Sequence, residues 1–399
     1  MNIGEIAKRA GVSRSTVSYA LSGKRYVSEE TRSRIQQVID ELDYRPNAAA
    51  RALKEGRTRT IGLVIPPPAR RLTYMQLEFV AAVLEAASRA DLDVLLSPSG
   101  DSHEQAFKRL IDGRRVDGVI LMEIRLQDPR VDQLRKAGMP FVTIGHTAHP
   151  EGVWWVDVDY QGLVGRCVKY LADLGHRNVA LINRSADMLA SGYGPGLRAR
   201  EGFLDAISQG GLTGFEYPCA DDAPAGDACM ALILEQHPEV TAAVTVNEAA
   251  LPGFQRALHR AGLRVPADFS LIGVAAQHWA EEFQPPLTSA DVPASQMGTE
   301  AVQLLTEHIA EPAAPAKHLL LSPPISLRNS RQPRPRTRAR LISPSPPRPR
   351  STCSSPRRSH CGTASAAPAH SNAADGCPLR HGDPQKRRAR PWLGYDTIA

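Results

Sequence analysis

The sequence predicts an α/β protein in which a small all-helical head precedes a two-lobed α/β body and a basic tail. Three observations predict it: helical periodicity without strands up to residue 58, alternating strand-like and helical runs through residue 329, and a rise in Arg, Pro and Ser from residue 330. We therefore expect a head at 1–45, a hinge helix and linker at 46–58, a body at 59–329 and a disordered tail at 330–399.

The first predicted feature is a compact head of short helices. Gly11 separates a first helix from a second, Arg14 to Ser22, which Ser13 can cap; Ser28 can cap a third. Their expected apolar positions are Ile6, Ala7, Ala10, Val17, Leu21, Ile35, Val38, Ile39 and Leu42. Two short helices joined by a turn that contains Gly predict a helix-turn-helix, whose second helix enters the major groove of DNA.

This motif assigns two sets of DNA-contacting side chains. Base-reading candidates face away from Val17 and Leu21 and are Arg14, Ser15, Ser18 and Tyr19. Phosphate-binding candidates lie at helix starts and are Ser13, Thr16, Ser28 and Thr31. The alternative is a small three-helix bundle with ordinary helix caps.

In the body, strand-like runs alternate with helical runs. This alternation indicates repeated βαβ units and therefore predicts parallel sheets. Expected strands are Thr60–Ile65, Asp93–Leu96, Gly118–Met122, Phe141–Ile144, Val179–Ile182, Ala242–Val246 and Ser270–Val274. Expected helices are Gln76–Ala90, Gln105–Gly113, Gln161–Leu174, Leu197–Gln209 and Ala250–Ala261. Because so long a body exceeds one ordinary sheet, we expect a first lobe at 59–159 and 288–317 and a second at 160–287 and 318–329.

Charge is distributed unevenly along the chain, whose net charge is +6. Residues 1–60 hold 12 Lys and Arg against 7 Asp and Glu, whereas residues 330–399 hold 14 against 3. The body between them is acidic. A basic head and tail suit a polyanion such as DNA, although charge runs are often only solvated surface.

Composition excludes several protein classes. The chain has no apolar run of about 18 residues and no secretory leader, so we expect a cytoplasmic protein with no membrane partner. Its six Cys form no C-x-x-C pair, so we expect reduced thiols, no metal and no cofactor. The body has no phosphate-binding loop and no nucleophile elbow, so we expect no enzymatic activity.

Ordered motifs extend the head into a larger pattern. They are Gly11-Val12-Ser13 with Thr16-Val17-Ser18, Val27-Ser28-Glu29-Glu30-Thr31-Arg32, Tyr44-Arg45-Pro46-Asn47 with Ala50-Arg51 and Leu53, and Arg59-Thr60-Ile61-Gly62. In this order the chain resembles the lactose- and galactose-repressor (LacI/GalR) family, in organisation over 1–329 and most specifically over 1–65.

The resemblance implies a hinge helix that binds the minor groove of an operator through Asn47, Ala50, Arg51 and Leu53. Leu53 takes the place of an apolar wedge that unstacks two base steps. The alternative is that Leu53 packs between the hinge and the body. Tyr19 stands where the family often has Arg, and a tyrosine cannot make the bidentate contact to guanine.

The resemblance also implies a sensor domain like the periplasmic sugar-binding proteins, with a ligand between its lobes. Candidate effector-binding residues are Tyr74, His146, Arg198, Asn247 and Glu248. His146 and Arg198 have ordinary surface roles as alternatives. The pocket departs from the family pattern: Glu248 replaces the usual Asp after Asn247, Ala199 occupies the place of an Arg, and Ala275-Ala276 replaces another Asp.

Together these features predict a transcription regulator, most simply a repressor. We expect a homodimer or tetramer that binds double-stranded DNA at a near-palindromic operator, with an affinity controlled by a small sugar-like effector. The first alternative is a DNA-binding regulator with a degenerate sensor that responds to no effector. A second, from another class, is a solute-binding protein or a sugar-processing enzyme.

Overall fold

The computed structural model describes residues 3–22, 25–42, 52, 56–66, 72–99 and 104–333. In the head, α1 spans Ile3–Arg9, α2 spans Arg14–Ser22 and α3 spans Glu29–Glu41. Gly11 has a φ of +66°, which glycine adopts without steric cost, and this residue turns the chain from α1 into α2. The three helices enclose a core centred on Ile6, Val17 and Ile35.

One expected core position of the head differs. Leu21 is exposed, whereas Ala20 packs against the core beside Val17. The helical repeat of about 3.6 residues allows either the third or the fourth residue after Val17 to face inward, and here the third one does.

The body contains twelve described strands. In chain order they are β1 Thr60–Ile65, β2 Asp93–Pro98, β3 Gly118–Leu121, β4 Phe141–Ile144, β5 Trp154–Val158, β6 Asn178–Asn183, β7 Thr213–Pro218, β8 Ala242–Thr245, β9 Ser270–Ala275, β10 Thr288–Asp291, β11 His318–Leu321 and β12 Ile325–Ser326.

Ten described helices lie between these strands. They are α4 Tyr74–Arg89, α5 Glu104–Asp112, α6 Pro129–Ala137, α7 Tyr160–Asp173, α8 Ala186–Ala190, α9 Gly194–Gly210, α10 Ala223–Gln236, α11 Leu251–Arg260, α12 Gln277–Glu282 and α13 Ala294–Ala310. A 3₁₀ turn, Glu248–Ala250, precedes α11.

The strands form two six-stranded sheets, which define the two lobes. The first lobe has the order β11-β5-β4-β3-β1-β2, and all of its pairs are parallel. The second lobe has the order β12-β10-β9-β8-β6-β7, in which only the pair of β10 and β12 is antiparallel. Helices cover the sheets, and strands such as β3 and β8 are buried along their whole length.

Two strands belong to a different lobe from the one that the sequence predicted. We expected 288–317 in the first lobe, but β10 extends the second sheet through its parallel pairing with β9. We expected 318–329 in the second lobe, but β11 pairs with β5 at the edge of the first sheet. The chain therefore crosses between the lobes three times, after β5, after β10 and after β11, and α13 returns to pack on α4.

The described body continues past the expected start of the tail at residue 330. Ser330 is fully buried, and its hydroxyl donates to the carbonyl oxygen of Leu271 and accepts from the amide of Thr288, 2.8 Å away. Gln332 donates its amide to Ser270 Oγ at 3.1 Å. The disorder expected for the tail from residue 334 onward lies outside the described residues. Within those residues, no helix is long and apolar enough to cross a membrane.

Candidate functional site

The exposed start of α2 carries the first group of predicted site residues. Ser13 caps the helix, because its Oγ accepts from the amide of Thr16 at 3.1 Å and lies 2.9 Å from Ser15 Oγ. Arg14 and Ser15 are exposed. The Arg14 guanidinium lies against Gly4 of α1, where a Cβ would come within 2.6 Å of Arg14 Nη2. The absence of a side chain at Gly4 therefore leaves room for the Arg14 side chain, which extends from the first residue of α2.

The middle of α2 holds Ser18 and Tyr19, both partly buried. The Cζ of Arg25 lies 5.3 Å from the centre of the Tyr19 ring, a cation–π contact between the helix and the segment that follows it. Tyr26, beside Arg25, is 93% exposed. Neither Arg25 nor Tyr26 was predicted from the sequence, although a basic and aromatic run between two short helices could have indicated them.

The start of α3 carries the remaining phosphate-binding candidates of the head. Ser28 Oγ donates to Thr31 Oγ1 at 2.8 Å, and the Ser28 side chain caps no backbone amide of α3. The hinge candidates Asn47, Ala50, Arg51 and Leu53 lie outside the described residues.

A second group of polar side chains gathers at the carboxyl ends of strands from both lobes, where the lobes meet; we call this region the cleft. In open parallel sheets this edge is where ligands bind. His146 follows β4, Arg184 follows β6, Asp221 follows β7, and Asn247 and Glu248 follow β8. The contacts below connect these strand ends across the two lobes.

Arg184 is central to the cleft and was missed by the sequence analysis. Its Nη2 lies 2.8 Å from Asp221 Oδ2, and its Cζ lies 5.7 Å from the ring centre of Tyr193. Burial alone would lower the pKa of Arg184, but the charges of Asp221, Tyr193, Glu123 and Glu248 raise it above its ordinary value. Arg184 is therefore a fixed cation. Its position directly after a buried strand was the signal available in the sequence.

Arg198 and His146 are brought together from different lobes. Arg198 Nη2 donates to the carbonyl oxygen of His146 at 3.0 Å, and its Nη1 lies 3.9 Å from Asp157 Oδ2. His146 Nδ1 lies 2.8 Å from that same carboxylate oxygen, and its ring stacks on Trp155 at 4.5 Å. Burial lowers the pKa of Arg198 and outweighs the opposing charge of Asp157. Arg200, the neighbouring arginine, pairs instead with Glu216 at 2.6 Å.

Tyr74 and Glu248 are also brought together across the cleft. Glu248 Oε1 accepts from the amide of Met75 in α4, and Oε2 accepts from the amide of Ala276, each at 2.9 Å. The Tyr74 ring meets Trp279 edge-on, with 4.9 Å between ring centres. Ala276, one of the two alanines at 275 and 276 that replace an expected Asp, thus takes part through its backbone amide.

Unsatisfied polar atoms concentrate in this cleft. Of the seven buried side-chain nitrogen and oxygen atoms without a hydrogen-bond partner among the described residues, five belong to it: Thr147 Oγ1, Arg184 Nε, Arg198 Nη1, Asp221 Oδ1 and Asn247 Oδ1. A buried polar atom without a partner costs about 1–3 kcal/mol. The five include both donors and acceptors, so they suit a small molecule that both donates and accepts hydrogen bonds. No group of three or more potential metal ligands occurs in the described part of the chain.

Comparisons with known proteins agree with this architecture. Residues 2–47 match the bacterial regulatory proteins of the lacI family, and residues 168–331 match the periplasmic binding protein-like domain. The chain is 33% identical over 298 residues to the HTH-type transcriptional regulator AglR of Rhizobium meliloti, covering 72% of this chain and 82% of that protein. It is 30% identical over 348 residues to the HTH-type transcriptional repressor PurR of Pasteurella multocida, covering 82% and 98%.

A solved structure, a complex of the transcriptional regulator CelR with cellobiose, resembles the fold. The TM-score is 0.63 at 28% sequence identity, and the match covers 83% of this chain and 99% of that chain.

Proposed function

The chain belongs to the lacI family of bacterial regulatory proteins, which bind DNA through a helix-turn-helix, and we propose that it is a dimeric repressor controlled by a sugar-like effector. In this proposal a near-palindromic operator binds two heads, and an effector in the cleft changes operator affinity. It is a binding protein and not a catalyst, and it acts in the cytoplasm, where bacterial DNA is found.

The proposal of an effector rests on the unpartnered polar atoms in the cleft. Five buried polar atoms lack partners there, and a molecule with several hydroxyl groups would satisfy donors and acceptors alike. Arg184 and Asn247 approach from the second lobe and Thr147 from the first, so such a ligand would bind both lobes. A ligand that binds one lobe arrangement better than another shifts the balance between them. CelR, the structural relative above, was solved with cellobiose, so β-linked glucosides are the first effectors to test.

The dimer part of the proposal is supported by an exposed apolar surface of the first lobe. Leu77 and Leu84 lie two turns apart on α4, and Leu96 lies on β2, the neighbouring edge strand. Each is between 45% and 47% exposed. Exposed apolar side chains grouped on neighbouring elements suit an interface, and a two-fold dimer would present two heads to the two halves of an operator.

For DNA reading we propose that the start of α2 contacts bases in the major groove. Arg14 and Ser15 are the leading contacts, Ser18 and Tyr19 follow along the helix, and Arg25 joins them through its stacking on Tyr19. Ser13, Thr16, Ser28 and Thr31 would position the phosphates, and Asn47, Ala50, Arg51 and Leu53 would act in the minor groove.

The test has two arms. The first selects binding sites from random duplexes and compares affinity for selected and unselected DNA by fluorescence anisotropy at about 0.15 M salt. We expect a near-palindromic site bound at least a thousandfold, about 4 kcal/mol, more tightly. Equal affinities would refute the proposed sequence-specific regulator.

The second arm titrates the protein–operator complex with cellobiose, other sugars and nucleosides by calorimetry. We expect one of them to bind and to change operator affinity by about 5- to 150-fold. Specific operator binding with no response to any member of the panel would favour the second candidate, an effector-independent regulator. The observation that favours this candidate is that Glu248 already fills hydrogen bonds in the cleft.

A further inference from the structure

Backbone hydrogen bonds join the two lobes at one place. Leu126 in the first lobe donates its amide to the carbonyl oxygen of Gly192 in the second at 2.8 Å. Gly194 donates its amide to the carbonyl oxygen of Ile124 at 3.0 Å. Because these bonds join main chains, they depend little on which side chains are present.

The carboxylate of Glu248 joins the two lobes at a second place. One oxygen accepts from Met75, the second residue of α4 in the first lobe, and the other accepts from Ala276 in the second lobe. Both distances are 2.9 Å, and the residue is 2% exposed. Amides in the first turn of a helix have no partner within the helix, and the helix dipole favours a negative charge there. The N-terminus of α4 is therefore a suitable place for this carboxylate.

The length of the side chain matters at this position. Glu248 extends from the second lobe, directly after β8, to an amide of the first lobe. An aspartate would be shorter by one carbon–carbon bond, about 1.5 Å. At that length one carboxylate could not reach both amides with hydrogen-bond geometry. The contact of Tyr74, the neighbour of Met75, with Trp279 of the second lobe adds apolar surface to this bridge.

We propose that Glu248 is an internal clasp that holds the two lobes together in the absence of any effector. The Glu248 carboxylate joins the lobes as a bound ligand would, because it accepts one hydrogen bond from each lobe. The clasp rests on the proposed function in its consequence: the hydrogen bonds of Glu248 favour the lobe arrangement described above, and an effector acts by displacing Glu248 from Met75 or by binding beside it.

The experiment measures hydrogen–deuterium exchange by mass spectrometry on the full-length, ligand-free protein. It compares wild type with Glu248→Gln, which keeps the length but turns an NH₂ group toward one amide, and Glu248→Asp, which keeps the charge but shortens the reach. Glu235→Gln, an exposed carboxylate on the second lobe, is the matched control. Peptides from β1 and β6 report whether each lobe remains folded.

We expect peptides that contain the amides of Met75 and Ala276 to exchange at least tenfold faster in both Glu248 variants, with β1, β6 and the control unchanged. Wild-type exchange in both variants would overturn the clasp. Faster exchange in Glu248→Gln alone would also overturn the clasp. The protection of the two amides would then depend on the negative charge and not on the length of the side chain.

Operator affinity of the same four proteins tests the regulatory consequence. We expect both Glu248 variants, but not Glu235→Gln, to change affinity for the selected operator at least fivefold without effector. Faster exchange with unchanged operator affinity would show that the clasp has no regulatory role. If wild type binds no DNA specifically, the proposed function fails, and the exchange data still decide the clasp.

Discussion

The guanidinium of Arg25 lies over the ring of Tyr19, with 5.3 Å from Cζ to the ring centre. Tyr19 stands where the resemblance to the lacI family leads us to expect an arginine. The contact brings a guanidinium back to the exposed side of α2, because the tyrosine ring supports the Arg25 side chain. We propose that the two side chains act as one unit at a single base pair.

The first prediction concerns this pair. Arg25→Ala should relax preference at one operator position by about 1–3 kcal/mol, the range for loss of a bidentate contact to a base. Tyr19→Phe should keep the preference because the ring remains, whereas Tyr19→Ala should lose part of it. Selection from randomised operators, followed by sequencing, measures each change. If Tyr19→Ala and Arg25→Ala have independent, additive effects, the two side chains do not act together.

Arg14 should specify a different base pair. Arg14→Ala should weaken discrimination at one position by about 1–3 kcal/mol while affinity for unselected DNA falls much less. Arg34→Ala is the matched control, since Arg34 is exposed on α3 and lies outside the proposed base-reading set. The same selection assay reads out both variants, and an unaltered base preference in Arg14→Ala would remove Arg14 from that set.

The apolar surface of the first lobe should hold the dimer together. Leu84→Asp places a charge in the proposed interface, where burial without a partner is costly, so the variant should be monomeric at micromolar concentration. It should also lose most of its operator affinity. Leu327→Asp, at an exposed leucine outside this surface, should leave the protein dimeric. Sedimentation velocity distinguishes the two, and a dimeric Leu84→Asp protein would argue against the interface.

Stability of the first lobe should depend on the ionised carboxylate of Asp128. Burial alone would raise its pKa, but hydrogen bonds from Arg130, at 2.9 Å and 2.6 Å, and from the amide of Arg125 lower it below the ordinary 3.8. Because the folded-state pKa is the lower one, the stabilisation is present above pH 3.8 and is lost as pH falls through the folded value.

Asp128→Asn should therefore lower the free energy of unfolding by about 3 kcal/mol near neutral pH, because it leaves Arg130 without its charged partner. The difference from wild type should shrink as pH falls from about 4 toward 2, where the wild-type carboxylate also becomes neutral. Urea denaturation across this range measures it. A difference that stays constant with pH would show that the ion pair is not responsible.

The end of the ordered body should lie beyond Ser330. A chain ending at residue 329 loses the buried hydroxyl that bonds to Leu271 and Thr288, and it should melt several degrees lower. A chain ending at residue 333 should melt like the full-length protein. Because residues 334–399 hold 13 Lys and Arg against 3 Asp and Glu, their removal should also lower nonspecific DNA affinity and its salt dependence. Equal melting temperatures for both truncations would place the boundary earlier.

The fold was predictable wherever apolar runs were local and strong. The run Thr60–Ile65 is β1, and the expected helices after it have counterparts in α4, α5, α7, α9 and α11. The strands that determine the lobe boundaries were harder to predict from the sequence. The pairing of β11 with β5 joins segments about 160 residues apart, and β11 alternates between exposed and half-buried positions without a continuous apolar run.

The site was predictable to the extent that a motif fixed it. Gly11 and Ser13 determine where α2 begins, so Arg14 and Ser15 could be assigned from spacing alone. The pairing of Arg184 with Asp221 could not, because the two residues follow different strands and meet only when β6 and β7 lie side by side. The bridge made by Glu248 depends on how far apart the lobes lie, a distance that no local pattern encodes.

The late position of β11 in the chain has a consequence during translation. The ribosome completes every strand of the second sheet except the short β12 before it reaches His318–Leu321. Until then one edge of β5 has no neighbour, so the nascent chain carries an apolar strand with one unpaired edge while about 160 further residues are added. The first lobe begins to assemble early, and it is among the last parts of the body to be finished.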